Sequence, residues 1–181
     1  MHGTIFVELE KFVGARLGAG AWNSLKSAAG IDANRVYDVF QNYPDEEAVA
    51  LITTGSSISG MPVPVLLESF GEFIAPDLLE MYWGAIQPEW RTLDVIENTE
   101  STIHTVVRMN QRGASPPYLH AKRTAPDEVT IHYTSQRKLC PVAKGIAHGI
   151  AKHYGETLSI EDQRCMHRGD EDCVLVVRKQ S

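Results

Sequence analysis

The chain has 181 residues, 43% hydrophobic and 22% charged, with a formal net charge of -6, values that suit a globular protein with a sizeable core. No surplus of Lys and Arg exists to neutralise phosphates, which argues against nucleic-acid binding as a main role. No apolar run approaches a membrane span, the first residues lack the pattern of a signal peptide, and three cysteines make no disulfide framework, so the expected compartment is the reducing cytoplasm, away from membranes.

Ile5, Leu9, Phe12, Val13 and Leu17 recur at helical spacing until Gly18 and Gly20, which predicts a first helix. Val36 to Phe40 reads as a short helix closed near Pro44, and Asp45-Glu46-Glu47 as the acidic opening of another helix over 48–53, where the helix N-terminus favours negative charge. Thr54 to Gly60 reads as a Gly/Ser connector that fits neither a Walker loop nor a nucleophile elbow. Pro62 to Phe73 and Pro76 to Trp83 are apolar-rich helices, and Leu93, Ile96, Ile103, Val106 and Val107 mark one more, ending before Gly113.

The pattern then changes to extended runs. Tyr118 to Arg123 and Val129 to Gln136 are joined across Thr124 to Glu128, a hairpin signal. Pro141 starts a helix through Tyr154, stopped by Gly155. Thr157 to Met166 and Cys173 to Arg178 follow as two strands around a turn at Arg168-Gly169-Asp170. The fold class is α+β: a helical N-terminal half packed on a mostly antiparallel four-stranded sheet with one inserted helix. No repeat or linker interrupts it, so 1–181 reads as one domain.

Two groups of residues carry chemistry. His104 lies beside the apolar face of its helix, and a single imidazole can ligate a metal; an ordinary helix histidine is the plainer reading. Tyr133, Ser135 and Arg137 fall at strand alternation, which places a phenol, a hydroxyl and a guanidinium on one face. Such a row can grip carboxylates, because Arg binds them bidentately and Tyr and Ser add directed O–H donors; a solvated strand face has the same composition. No second histidine near His104 completes a hydrolytic zinc pair. His2, His120, His132, His148 and His153 read as surface or turn residues, and the three tryptophans as packing.

Taken together, the Met1-x-Gly3-x-Ile5 start, Phe70-Gly71-x-Phe73, His104, Pro117 and Tyr133-x-Ser135-x-Arg137 resemble the H-NOX (haem nitric oxide/oxygen binding) family, relatives of the haem domain of soluble guanylate cyclase. The resemblance covers nearly the whole chain. It implies haem b lying between the helical part and the sheet-bearing part, with 1–60 as a distal subregion and 61–181 as a proximal one. By the same resemblance His104 is the proximal iron ligand, Tyr133, Ser135 and Arg137 clamp the haem propionates, Pro117 distorts the haem plane, and Ile5 and Leu9 cover the distal side. Oxygen-binding members carry a distal tyrosine just past the clamp arginine. Here that segment is Lys138-Leu139-Cys140-Pro141-Val142, with Val142 in or near the tyrosine slot, which implies a sensor of nitric oxide that weakens the His104–iron bond. A stand-alone member would signal to a separate protein, a histidine kinase or a cyclic-dinucleotide enzyme.

Cys140, Cys165 and Cys173 form the second constellation. Three buried thiols are the plain reading. A subset of the same family carries a C-terminal zinc site of one Cys followed by His-x2-Cys-x7-Cys; this chain keeps the cysteine spacing and has Asp162 in the histidine slot, with His167 as the other candidate fourth ligand. The alternative to a gas sensor is therefore a zinc/thiol redox regulator with weak or absent haem. An enzyme is the third class, and neither a paired acid/base arrangement nor a nucleophile motif supports it.

Overall fold

The computed structural model describes residues 1–111 and 113–180, so Ser181, the last position of the expected 1–181 domain, lies outside it. Helix α1 (Gly3–Leu17) buries Phe6, Leu9, Phe12 and Val13 at the predicted spacing and ends at Gly18, whose φ of 86° carries the chain out of the helix. A helix that periodicity missed follows directly: α2 (Ala21–Ala28) buries Trp22 and Leu25.

Between 36 and 40 the expected helix is absent. Tyr37 alone turns inward, stacking on Phe6 at 4.2 Å and donating its hydroxyl to Glu47. Val36 and Phe40 are 83% and 86% exposed, and Asp38 accepts the Phe40 and Gln41 N–H groups in a turn. One buried aromatic with two exposed neighbours is a loop pattern, not an amphipathic face.

Helix α3 (Asp45–Ser59) runs through the stretch expected to be a connector, stopping only at Gly60 with φ 69°. Its hydroxyls hydrogen-bond to nearby carbonyls, Thr53 to Val49 and Ser56 to Met61, so the Ser/Thr content does not break it. At its N-terminus Asp45 pairs with Arg137 and with the amino group of Met1. Helix α4 (Val63–Met81) is likewise one helix, continuous through Pro76, where two were expected. A proline removes one N–H, and here the helix is held from outside instead.

That support is α7 (Cys140–His153), the inserted helix. A Cβ on Gly145 would lie 1.9 Å from the Glu68 carbonyl oxygen, one on Gly71 2.2 Å from the Val142 oxygen, and one on Gly149 2.4 Å from the Ala75 Cβ. Three glycines thus bring α4 and α7 backbone to backbone. Beyond α4, α5 (Thr92–Asn98), a single π-helical turn (Glu100–His104) and α6 (Thr105–Asn110) form the helix predicted around Ile103.

The sheet is antiparallel, in the order β1 (Tyr118–Ala125), β2 (Glu128–Thr134), β4 (Cys173–Lys179), β3 (Leu158–Arg164). Its inner face, with Val129, Ile131, Leu175 and Val177, packs with Leu93, Ile96 and the α7 residues Ala147 and Ile150 in one core. A second core gathers Phe6, Phe12, Trp22, Tyr37, Leu51, Phe70 and Ile74. The α+β architecture is as expected. Among the described residues no single helix is long and apolar enough to cross a membrane.

Two expectations about stability follow. Gly145→Ala should destabilise by about 1–3 kcal/mol, because the neighbouring backbone has to move, whereas Gly14→Ala, with open space around its added carbon, should stabilise by about 0.5–1 kcal/mol; urea midpoints compare them. For Asp45, burial works to raise the carboxyl pKa, but the Met1 amino group and Arg137 outweigh it and hold it below its usual range. A depressed carboxyl contributes stability above its unfolded value, about 3.9, and loses that contribution as pH falls through the folded value. Asp45→Asn should therefore melt lower than wild type at pH 6, and the gap should close as melts are repeated down to about pH 2.

Candidate functional site

A cavity of about 930 Å³ lies where the two cores meet, walled mainly by apolar side chains. Ile5 and Leu9 of α1, Val142 of α7, His104, Pro117, Tyr133, Ser135 and Arg137 all line it. Every residue expected in the haem site thus faces one space.

His104 closes the π-helical turn, its N–H bonded to the Thr99 carbonyl at 2.9 Å. The local sequence Asn98-Thr99-Glu100-Ser101-Thr102 explains this departure from α-helix. Thr99 and Thr102 return their hydroxyls to the Val95 and Asn98 carbonyls at 2.7 Å, a competition that weakens regular helix. Single π turns of this kind recur at functional sites. The His104 side chain is 13% exposed. Its Nδ1 lies 2.9 Å from Glu100 Oε2, and because a carboxylate only accepts, the proton sits on Nδ1; the Pro117 carbonyl is a second acceptor facing the ring. Burial lowers the imidazole pKa against the opposing pull of Glu100, a shift toward the neutral ring, the form that binds a metal.

Glu100 itself was not singled out from the sequence, although an acid four residues before a histidine on one helix is a readable signal. Arg108 donates to its Oε1 at 2.7 Å and the Leu119 N–H to its Oε2 at 3.1 Å. Burial alone would raise this carboxyl; His104, the Leu119 N–H and Arg108 together hold it below its usual range.

The Tyr-Ser-Arg row differs from expectation in one respect. Strand β2 stops at Thr134, so only Tyr133 belongs to it. Ser135 and Arg137 lie in the turn that follows, closed by the Lys138 N–H on the Ser135 carbonyl at 3.1 Å, with Lys138 at φ 51°. The strand ends there because its partners do: Thr134 pairs with Tyr118, which Pro116-Pro117 precede with no N–H to extend the ladder, and Tyr133 pairs with Cys173, the first residue of β4. The three side chains converge even so. Tyr133 is buried, with its phenol pushed up to about 12 by burial and its hydroxyl paired with Ser135. Arg137 donates through Nε to Asp45 and through Nη1 to the Ser115 carbonyl, both at 2.8 Å.

The cysteines also meet. The Sγ atoms of Cys140, Cys165 and Cys173 all lie within 4.8 Å of one another, and none forms a disulfide. Burial raises the Cys140 and Cys173 thiols. The two candidate fourth ligands stand apart from this group. Asp162 is paired with Lys144 at 2.9 Å, and His167 Nε2 bonds the Lys138 carbonyl at 2.7 Å. Three sulfurs at this spacing suit a soft or borderline cation such as zinc.

Comparison with known proteins identifies the family and the fold. The family model described as Haem-NO-binding (HNOB) matches residues 2–162. Soluble guanylate cyclase gcy-35 of Caenorhabditis elegans is 22% identical in a 177-residue alignment that covers 92% of this chain and 25% of that protein; the chain spans about a quarter of the length of this curated relative. An H-NOX protein from S. oneidensis, solved in the Fe(II)NO ligation state, superposes with a TM-score of 0.93 at 25% identity, with 100% of both chains covered. An unliganded Fe(II) H-NOX protein from K. algicida shares the fold, with a TM-score of 0.89 at 19% identity over 100% of this chain and 97% of that one. With the family model matched over most of its length, the chain belongs to the haem-NO-binding, or H-NOX, family.

Proposed function

We propose that this chain is a haem-based sensor of nitric oxide, one H-NOX domain over 1–181 that holds haem b through His104 and signals to a separate protein. The observation that carries this reading is one apolar cavity of about 930 Å³ lined both by a largely buried imidazole and by the Tyr133-Ser135-Arg137 row. That volume falls within the roughly 300–1,000 Å³ of small-molecule and cofactor sites. Haem bound there would supply a ferrous iron able to take up a diatomic gas.

The chain's own residues account for the rest. His104 offers Nε2 to the iron. Tyr133, Ser135 and Arg137 supply donors for the two propionates, and Asp45 keeps the guanidinium turned to the cavity edge. Pro117, a rigid ring that lines the cavity between ligand and clamp, would press on the macrocycle. Ile5, Leu9 and Val142 present only aliphatic carbon on the distal side, so they offer oxygen no hydrogen bond, while nitric oxide needs none. His104 would be the group through which gas binding reaches the fold: a weaker hold on it would free the helix that carries it, a two-state change driven by differential affinity. The reading is of a sensor and not an enzyme. It takes a histidine kinase or a cyclic-dinucleotide enzyme as the partner class and the cytoplasm as the compartment, where thiols stay reduced.

A second reading rests on the thiol cluster: a zinc site on Cys140, Cys165 and Cys173, with Asp162 or His167 brought in as fourth ligand, either accompanying haem or serving a redox regulator without it. Ligation would require either residue to leave its present partner, Lys144 or the Lys138 carbonyl.

Spectra of the ferrous protein separate these. A Soret band that shifts with nitric oxide and not with air is expected; a colourless protein that keeps zinc after haem supplementation would favour the redox regulator. Val142→Tyr should gain an oxygen complex, and a variant still blind to oxygen would remove Val142 from the distal pocket. His104→Gly should lose the five-coordinate ferrous spectrum and recover it with added imidazole. Metal analysis should find zinc in the wild type and a loss of about tenfold or more in affinity for Cys165→Ser.

A further inference from the structure

Glu100 is the centre of a cluster that the reading above leaves without a role. Its two carboxylate oxygens are held from three directions: His104 Nδ1 at 2.9 Å and the Leu119 N–H at 3.1 Å on Oε2, and Arg108 Nη2 at 2.7 Å on Oε1. These partners come from the π turn, from the second residue of β1 and from α6. The carboxylate therefore cannot rotate away from the imidazole without giving up Arg108 or the sheet.

We infer that Glu100 is a positioning residue for His104, a carboxylate that fixes the Nδ1–H tautomer and strengthens the bond from Nε2 to haem iron, so that His104 resists displacement when a gas binds opposite. The inference rests on the haem reading and adds a direction to it. A carboxylate accepting from the distant nitrogen of a metal-bound imidazole withdraws the proton's charge and raises the basicity of the ligating nitrogen. A neutral carbonyl in the same place polarises the ring less, because hydrogen bonds to an ionised acceptor are about twice as strong. The side chains of His104 and Glu100 are only 13% and 23% exposed, so water does little to weaken the pairing. Arg108 sets an upper limit on the effect. Its guanidinium shares the negative charge, leaving Glu100 a weaker base than a lone carboxylate would be.

The arrangement also connects ligation to the fold. Leu119 stands two residues beyond Pro117, and Arg108 sits one helical turn beyond His104. Any movement of His104 off the iron has to break the Glu100 contact or carry α6 and the start of β1 with it.

The test is the iron–histidine stretching band of the haem-loaded ferrous protein, read by resonance Raman without added gas, together with the visible spectrum under nitric oxide. Glu100→Gln keeps the shape and removes the charge, and its band should fall below that of the wild type. Its ratio of histidine-free to histidine-bound nitrosyl should rise by about tenfold or more, the lower end of what losing a ligand's hydrogen-bond partner costs in metal affinity. Arg108→Met leaves the carboxylate uncompensated and should move the band upward, a sign that loss of mere structural support would not produce. Wild-type frequency in Glu100→Gln would overturn the inference and spare the haem reading. Absence of any iron–histidine band from the haem-loaded wild type would overturn both.

Discussion

The close approach of α4 and α7 is the constraint on which the remainder of the structure depends. With no side chain at Gly71, Gly145 or Gly149, each helix rests against the other's carbonyls. This contact holds α4 continuous through Pro76. It also fixes where α7 starts, and hence the position of Cys140 and Val142 at its first turn. From α4 the helical core spreads toward α1 and α3, and from α7 the other core spreads over the sheet. The cavity is the space left where those two bodies of apolar side chains diverge.

Around that space the polar groups are arranged by sign. On the side of α6, a carboxylate faces the imidazole and is itself answered by Arg108. On the side of α3, a guanidinium faces the cavity edge and is answered by Asp45. Each charged side chain thus arrives already paired, which limits the desolvation penalty of placing it beside an apolar chamber. The thiols, which do not line the cavity, follow a different rule: burial opposes the ionisation of Cys140 and Cys173, and a cation would reverse that balance.

Much of this was legible in the chain. Strict periodicity found α1, the two hairpin strands and α7, and the sheet class with them. It failed where local composition and tertiary support disagree. Residues 54–59 look like a linker by their Gly and Ser, yet they stay helical to Ser59, whose hydroxyl returns to the Ser56 carbonyl while that of Ser56 reaches Met61 just past the end. Pro76 looks like a break, yet α7 braces the helix across it. Tyr37 looks helical by its neighbours, yet only its ring is buried. The residues expected at the site were found together because the motif specifies them, not because a strand carries them: the ladder ends at Thr134. Glu100 escaped notice since its role depends on Leu119 and Arg108 as much as on its spacing from His104, and Asp162 satisfies the zinc-site spacing while its carboxylate is turned to Lys144.

The π turn has a geometric meaning of its own. It holds one residue more than regular α-helix would, and one residue is about 100° of helical rotation. The rod from 92 to 110 is therefore two α-helices whose faces are out of phase, with His104 at the joint. Val95 and Ile96 are buried on one side of it while no residue of α6 is. Removing a single residue such as Ser101 would restore the phase and swing either the imidazole from the cavity or Leu93 and Ile96 from the core. The extra residue is what lets one helix serve the core with its first half and the cavity with its end.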